Sequence, residues 1–201
     1  MITKPITPHK RVEIALSHKR PDRVPVDFLA VPEIWQRLLD HFHIEAAAPS
    51  DQDYYDPAWE TVLQKLHVDC RVISYDQFCR PPESAYYPGA MIDWYGSLGR
   101  STPNRMWRQV VPDGTYYDIW GHQTQLVRNP TGMYEEFSAY PLAEAGSIAD
   151  LQTYSWPDPD WWNFTPLTAV LQKLDPSHDY HIRYRSGSVF ETAWQLCGLQ
   201  V

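Results

Sequence analysis

The apolar residues in the first third of the chain recur at the spacing expected of helices. Val12, Ala15 and Leu16 predict a helix over residues 8–18, and a second apolar stripe predicts another over about 33–43. A third helix is predicted to begin at Asp56-Pro57, because a capping residue followed by proline is typical of a helix start.

Two short runs in the same region have the composition of strands. Residues 24–29 predict a first strand, and residues 69–76, DCRVISYD, predict a buried strand with a carboxylate near each end. Asp27 lies inside the first run, where a polar anchor in the core and a ligand contact are equally plausible roles. Asp76 ends the second run, and this octapeptide alone favours a turn former or helix cap.

Helical periodicity stops over about residues 80–128, where short β-type runs alternate with turn residues. The turn sequence Pro112-Asp113-Gly114 between two such runs predicts a hairpin. We therefore predict a β-excursion inserted into an α/β body. Asp118 lies among its aromatic residues, so the excursion is either a packed hairpin or a lid over a site.

The last third of the chain returns to an alternation of helix and strand. Ser147 and Asp150 resemble a capping box before a short helix over about 148–154. Four further features follow: a helix capped by Thr165-Pro166, a strand over 179–187, its exit at Gly187, and a helix over 189–198.

Composition narrows the possible partners and compartment. Lys and Arg total 17 against 25 Asp and Glu, giving a formal net charge of −8, which disfavours nucleic acid and anionic membranes as partners. No apolar run approaches the ~20 residues of a membrane span, and three cysteines do not make a disulfide framework. We predict a cytoplasmic protein. Its 9 tryptophans imply a large core or a site for a flat ligand.

Four stretches occur in the same order in the uroporphyrinogen decarboxylase superfamily: PDRVPVDF at 21–28, YYDIWG at 116–121, YPLAEAGSIADLQTYSWPDPD at 140–160 and GSVFETAWQLCG at 187–198. The chain resembles most closely the methyltransferase-like branch of that superfamily, over essentially all 201 residues. The resemblance implies a TIM-barrel enzyme that handles tetrapyrroles or methylated corrinoids. Because only about three core strands are predicted, where a closed barrel needs eight, we expect a partial (β/α)8 barrel. It would be the N-terminal part of one domain, inactive alone.

The resemblance also nominates site residues. Asp76 matches the active-site aspartate that follows a barrel strand in the family, so it becomes the candidate catalytic residue. Asp27, Tyr75, Gly187 and Trp194 are the candidate substrate contacts, and Trp194 stands where the decarboxylases have a tyrosine.

Two departures argue against uroporphyrinogen as the substrate. Ala30 and Ile34 stand where the decarboxylases have arginines that hold substrate carboxylates. Trp194 can stack on a flat ring but supplies no hydroxyl. A flat macrocycle or a small methylated compound is therefore the expected ligand.

The methyltransferase branch uses zinc to activate a thiol acceptor, through a His-x-Cys motif and a distant cysteine. No His-x-Cys occurs in this chain, and the spacing of His67, Cys70 and Cys79 is poor for a metal site. We expect no metal ligands within these residues, and zinc ligands and a corrinoid only in a longer protein.

Three functions follow from the resemblance. A corrinoid- or cobalamin-linked methyltransferase is the first, a carboxy-lyase acting on a porphyrinogen is the second, and a non-catalytic corrinoid-binding protein is the third. The expected partners are a small-molecule or corrinoid substrate, with a corrinoid protein and a homodimer left open, and neither nucleic acid nor membrane.

Overall fold

The computed structural model describes residues 5–46, 54–93, 105–130 and 132–199. The helices and strands, in chain order, are α1 (Pro8–Leu16), α2 (Pro32–Phe42), α3 (Pro57–Lys65), β1 (Cys70–Ser74), β2 (Met91–Ile92), β3 (Gln109–Val110), β4 (Tyr116–Tyr117), β5 (Gln123–Asn129), β6 (Gly132–Ala139), α4 (Ile148–Thr153), α5 (Leu167–Leu174), β7 (His181–Arg185) and α6 (Val189–Cys197). Across these described stretches, no helix is long and apolar enough to span a membrane.

The chain divides into two compact units. The first contains the described residues up to Ser74 together with Phe164–Arg185. The second contains the described residues of 75–99, 105–163 and 186–199. The predicted single-domain organisation stays a prediction.

The first unit is built on one parallel strand pair. Strand β1 pairs with β7 from Cys70 opposite His181 to Ser74 opposite Arg185, and all five β1 residues are buried. Helices α2 and α3 pack together through the stacked rings of Trp35 and Trp59, whose centroids lie 4.5 Å apart. The predicted helix starts are confirmed, since Thr7 and Asp56 cap α1 and α3 with their side chains.

Asp69, immediately before β1, is a buried ionic centre of the first unit. Its carboxylate accepts hydrogen bonds from Arg11 at 2.5 Å, from both Nη atoms of Arg23 at 2.6 and 2.8 Å, and from the amide of Val26 at 2.8 Å. Arg11 also holds Asp22 at 2.7 and 2.8 Å. The PDR sequence of residues 21–23 therefore contributes to this network.

The predicted strand at Val24–Leu29 is wrong, because these residues adopt no regular structure. Pro25 has no N–H to donate to a ladder. The next amide, that of Val26, donates to the Asp69 side chain. The Val26 carbonyl accepts a backbone hydrogen bond from the Asp69 amide.

Three helices end in the same way. His18, His43 and His67 follow α1, α2 and α3 in the left-handed conformation, with φ between 51° and 55°. After each histidine, the next amide bonds back to a carbonyl five residues earlier: Lys19 to Ile14, Ile44 to Leu39, and Val68 to Leu63. This is the Schellman arrangement, in which glycine is the usual residue.

The second unit contains a five-stranded antiparallel sheet in the order β2-β3-β4-β5-β6. The predicted hairpin between β3 and β4 is confirmed: Gly114 has φ +86°, and the Thr115 amide donates to the Asp113 side chain at 2.9 Å. The β region extends to Ala139, beyond the predicted limit of residue 128. Residues 94–104 of the predicted excursion lie outside the described part of the chain.

The predicted partial (β/α)8 barrel is wrong. A barrel adds parallel strands joined by helical crossovers, which need a dozen or more residues. Here the five strands between β1 and β7 pair antiparallel with their sequence neighbours, mostly through short turns. The architecture is mixed α/β, with a two-stranded parallel sheet and a larger antiparallel one.

The helices predicted in the last third of the chain are found, except that one of them begins differently. Ser147 and Asp150 form the predicted capping box at α4, and Ser188 caps α6 by accepting from the Glu191 amide. The predicted cap at Thr165 is wrong, because Pro166 is the N-cap of α5 and no side chain bonds there.

Candidate functional site

The second unit contains a cleft of about 650 Å³, which we call the aromatic cleft. Its volume falls within the roughly 300–1,000 Å³ of small-molecule sites. Six aromatic residues and two carboxylates contribute to its lining, namely Tyr86, Tyr87, Trp107, Tyr154, Trp156, Trp161, Asp118 and Asp158. A second cavity, in the first unit, has about 270 Å³ and lies below that range.

Gln109 on β3 holds one wall of the aromatic cleft in place. Its side chain is buried, accepts a hydrogen bond from the Tyr87 amide at 2.6 Å and donates to the Ala85 carbonyl at 3.2 Å. These bonds tie the proline-rich segment 82–88 to the sheet. The tyrosines on this wall are thus placed by a buried amide rather than by a regular element.

Ring contacts order the aromatic side chains of the cleft. The ring centroids of Tyr86 and Trp107 lie 5.7 Å apart, and those of Tyr154 and Trp156 lie 4.9 Å apart at a nearly perpendicular angle. The Trp156 indole also donates to the Leu151 carbonyl at 2.7 Å. These contacts hold Tyr86 against Trp107 and Tyr154 against Trp156.

Gly121 marks a polar corner of the cleft. It has φ +79°, and a Cβ placed there would lie 2.5 Å from the Tyr154 hydroxyl oxygen and 3.9 Å from that of Tyr87. The Tyr154 hydroxyl donates to the Trp120 carbonyl at 2.6 Å. Only glycine gives both the left-handed backbone and the room for the two phenols.

Both phenols keep their protons well above neutral pH. Burial, then the neighbouring Tyr117 and Asp118, raise the pKa of Tyr87. Burial, then Tyr87 and Asp118, raise the pKa of Tyr154 to about 12. The two hydroxyls are therefore hydrogen-bonding groups at neutral pH and not anions.

Asp118 organises the turn behind this corner. Its Oδ1 accepts from the amides of Trp120 at 2.8 Å and His122 at 3.0 Å, and its Oδ2 lies 2.8 Å from Nδ1 of His122. His122 is buried, and no hydrogen-bond partner for its Nε2 is found within the described part of the chain. The Asp118 carboxylate thus orients the His122 imidazole, and Asp118 also lines the cleft.

The electrostatic character of the cleft is negative. Asp118 and Asp158 are its only charged side chains, since the described residues that line it include no Lys, Arg or His. Trp107 is 3% exposed, and its indole N–H has no acceptor among the residues that the structure describes. The lining thus offers aromatic rings and two carboxylates.

The structure brings together two of the sequence-predicted site residues. A Cβ on Gly187, which has φ +84°, would lie 3.0 Å from Cε1 of Tyr75. The Tyr75 hydroxyl accepts a bond from the Trp120 indole at 2.9 Å, and its ring lies 6.2 Å from that of Trp162. These two residues belong to an aromatic cluster beside the cleft and not to its lining.

The other predicted site residues lie apart. Asp76 is half-buried on a 3-10 helix, Tyr75–Phe78, two residues beyond the end of β1, and does not line the cleft. Trp194 packs edge-on against Phe137 with centroids 5.3 Å apart. Asp27, in the first unit, pairs with Arg183 on the surface, so it is not a polar anchor in the core.

No metal site is found. In residues 5–46, 54–93, 105–130 and 132–199, no three His, Cys, Asp or Glu side chains are grouped to hold an ion. His67 is exposed on a helix end, and Cys70 and Cys79 are buried free thiols. Burial raises the pKa of Cys79 to about 12, which is the opposite of what a metal-binding thiolate requires.

The sequence patterns did not identify most of the residues that line the cleft. Asp118 was noted there as an acid among aromatics, but Tyr87, Tyr154 and Trp161 were not. The available signal was aromatic residues alternating with prolines, in YYP at 86–88 and in WPDPDWW at 156–162. Proline fixes the backbone of such segments, so their rings can be held at a surface without a helix or strand.

Comparisons of the chain with protein-family models, with curated proteins and with solved structures find no match.

Proposed function

We propose that the chain takes part in corrinoid-linked methyl transfer, the reaction implied by its resemblance to the methyltransferase-like branch of the uroporphyrinogen decarboxylase superfamily. The aromatic cleft would bind the small methylated compound of that reaction. One observation supports this most: the cleft combines six aromatic residues with two carboxylates and, among its described lining residues, no cationic side chain.

The charge of the cleft separates this proposal from the decarboxylase alternative. A porphyrinogen substrate carries several carboxylates, which need cationic partners such as paired arginines. Asp118 and Asp158 would repel such a substrate. Ala30 and Ile34, which stand at the positions of the decarboxylase arginines, point in the same direction.

The residues of the cleft have definite roles in this proposal. The ring faces of Trp107 and Trp161 would cover the apolar part of the ligand. The hydroxyls of Tyr87 and Tyr154, kept protonated by burial, would hydrogen-bond its polar part. A corrinoid, when bound, supplies a carrier for the methyl group. Asp76 remains the proposed electrostatic residue for the reaction.

The test is a calorimetric titration of the purified protein with a cobalamin and, separately, with uroporphyrinogen III. We expect tighter binding of the cobalamin, because its side chains are largely amides and the decarboxylase arginines are missing. Tighter binding of uroporphyrinogen III would reject methyl transfer in favour of the lyase. Titration of denatured protein controls for non-specific adsorption of these flat ligands.

A further inference from the structure

We infer that the aromatic cleft recognises a methylated ammonium cation, and, resting on the proposed function, that this cation is the small methylated compound bound there. The faces of Trp and Tyr rings carry negative charge density and attract cations within about 6 Å of the ring centre. Three tryptophans and three tyrosines line the cleft. Such a set of rings is the chemistry that binds quaternary ammonium groups.

The two carboxylates of the cleft, Asp118 and Asp158, also favour a cation as the ligand. Asp118 has a side chain 39% exposed, and Asp158 is exposed, so both carboxylates are accessible to a ligand in the cleft. An anion would meet two like charges in this cleft. A neutral aromatic compound would use the rings but would lack the charge attraction of the carboxylates.

Methylation of the cation matters because the rings are apolar as well as electron-rich. A primary ammonium is compact and strongly hydrated, so it loses much hydration when it enters such a cleft. A trimethylammonium group spreads its charge over methyl groups whose burial is favourable. The cleft therefore suits a tertiary or quaternary ammonium better than an unmethylated amine.

The two phenol hydroxyls of the cleft indicate a second group on the same ligand. The Tyr87 and Tyr154 hydroxyls converge on Gly121, and the Tyr154 hydroxyl already donates its proton to the Trp120 carbonyl. A ligand with a hydroxyl a few bonds from its ammonium group, such as choline, would accept a hydrogen bond from Tyr87 or donate one to the Tyr154 oxygen.

The experiment compares choline with its neutral carbon isostere, in which a tert-butyl group replaces trimethylammonium. Both are titrated into the purified protein by calorimetry. Because shape is matched, the difference in affinity reports charge recognition alone. We expect choline to bind at least about tenfold more tightly, the combined effect of several ring contacts. Equal affinity would overturn the inference.

Variants locate the binding. We expect choline binding to weaken by about tenfold in Trp161→Leu and also in Trp156→Leu, which lies at a more exposed position. The control is Tyr134→Leu, which removes an aromatic ring outside the lining and should leave choline binding unchanged. Asp158→Asn should weaken it by about two- to fivefold. Asp160→Asn, two residues away and outside the lining, removes the same charge as a control. Choline affinity unchanged in both tryptophan variants would overturn the inference.

The two proposals fail separately. If a cobalamin binds in preference to uroporphyrinogen III but choline does not bind, the cation inference falls and methyl transfer stands. If choline is preferred over its isostere while uroporphyrinogen III outcompetes the cobalamin, the cleft remains a cation site and methyl transfer falls.

Discussion

Replacement of Asp69 by asparagine should lower the free energy of unfolding by about 3–5 kcal/mol, although the two side chains are nearly equal in size. Asp69 is fully buried and takes hydrogen bonds from Arg11, Arg23 and the Val26 amide. Asparagine keeps one acceptor oxygen and turns an N–H toward a guanidinium. The substitution thus leaves buried positive charge uncompensated.

The size of this loss follows from the exposure of the two arginines. The Arg11 side chain is 8% exposed and keeps only Asp22 as a carboxylate partner, whereas Arg23 is 39% exposed and can regain water. Removing one partner of a buried pair typically costs about 3–5 kcal/mol. Because Arg11 still donates hydrogen bonds to Asp22, we expect a loss of unfolding free energy near the lower end of this range.

Asp175→Asn is the matched control. Asp175 is also buried in the first unit, but within the described residues its carboxylate accepts hydrogen bonds only from the amides of Asp179 and Tyr180, at 2.9 and 3.1 Å. The Asp175→Asn substitution leaves no cation without its partner, so we expect the free energy of unfolding to fall by about 1 kcal/mol.

The assay is urea denaturation followed both by circular dichroism and by tryptophan fluorescence. Coincident transitions and an unchanged m-value are required before two free energies are compared, because the chain has two compact units. A loss for Asp69→Asn no greater than that for Asp175→Asn would refute the ionic-centre argument.

Three further predictions concern the second unit. In the longer protein that the resemblance implies, Asp76→Asn should leave the melting temperature unchanged and lower turnover roughly 10²–10⁴-fold if Asp76 acts electrostatically; wild-type turnover would remove it from the mechanism. Gly187→Ala should destabilise the protein by about 1–2 kcal/mol, because of its positive φ and the contact with Tyr75; an unchanged urea midpoint would contradict this. Finally, exposed Cys197 should react rapidly with a thiol reagent in native protein, whereas Cys79, buried with a pKa raised to about 12, should react only after denaturation.

Local structure was largely predictable from the sequence. Caps such as Asp56 and the Ser147–Asp150 box depend on neighbouring residues alone, so their chemistry can be read directly. The failed strand at Val24–Leu29 depended on Asp69, more than forty residues away in sequence. Its apolar pattern was correct, but its amides had a competing partner.

Tertiary arrangement was not predictable in the same way. The barrel prediction extended a helix–strand order across the β-excursion, whose strands instead pair among themselves. The aromatic cleft draws its lining from segments as far apart as Tyr86 and Trp161. No periodicity connects these segments, because what joins them is a buried glutamine, a glycine and ring contacts.

The PDR motif shows how a resemblance can reflect folding and not chemistry. Asp22 and Arg23 pair with Arg11 and Asp69, and none of the four lines either of the two cavities described above. In this chain the motif helps to fasten the N-terminal helix to Asp69, the residue before β1. Such a motif therefore says more about assembly of the chain than about the reaction.

The histidines that end α1, α2 and α3 have a practical consequence for protein engineering. Each occupies a left-handed position that glycine adopts without a steric penalty, and a non-glycine residue there costs about 1–2 kcal/mol, partly offset by the flexibility of glycine in the unfolded chain. The three positions belong to different helices, so their effects should be close to additive. Glycine at residues 18, 43 and 67 is thus a route to a more heat-resistant protein that leaves the ligand chemistry of the second unit unaltered.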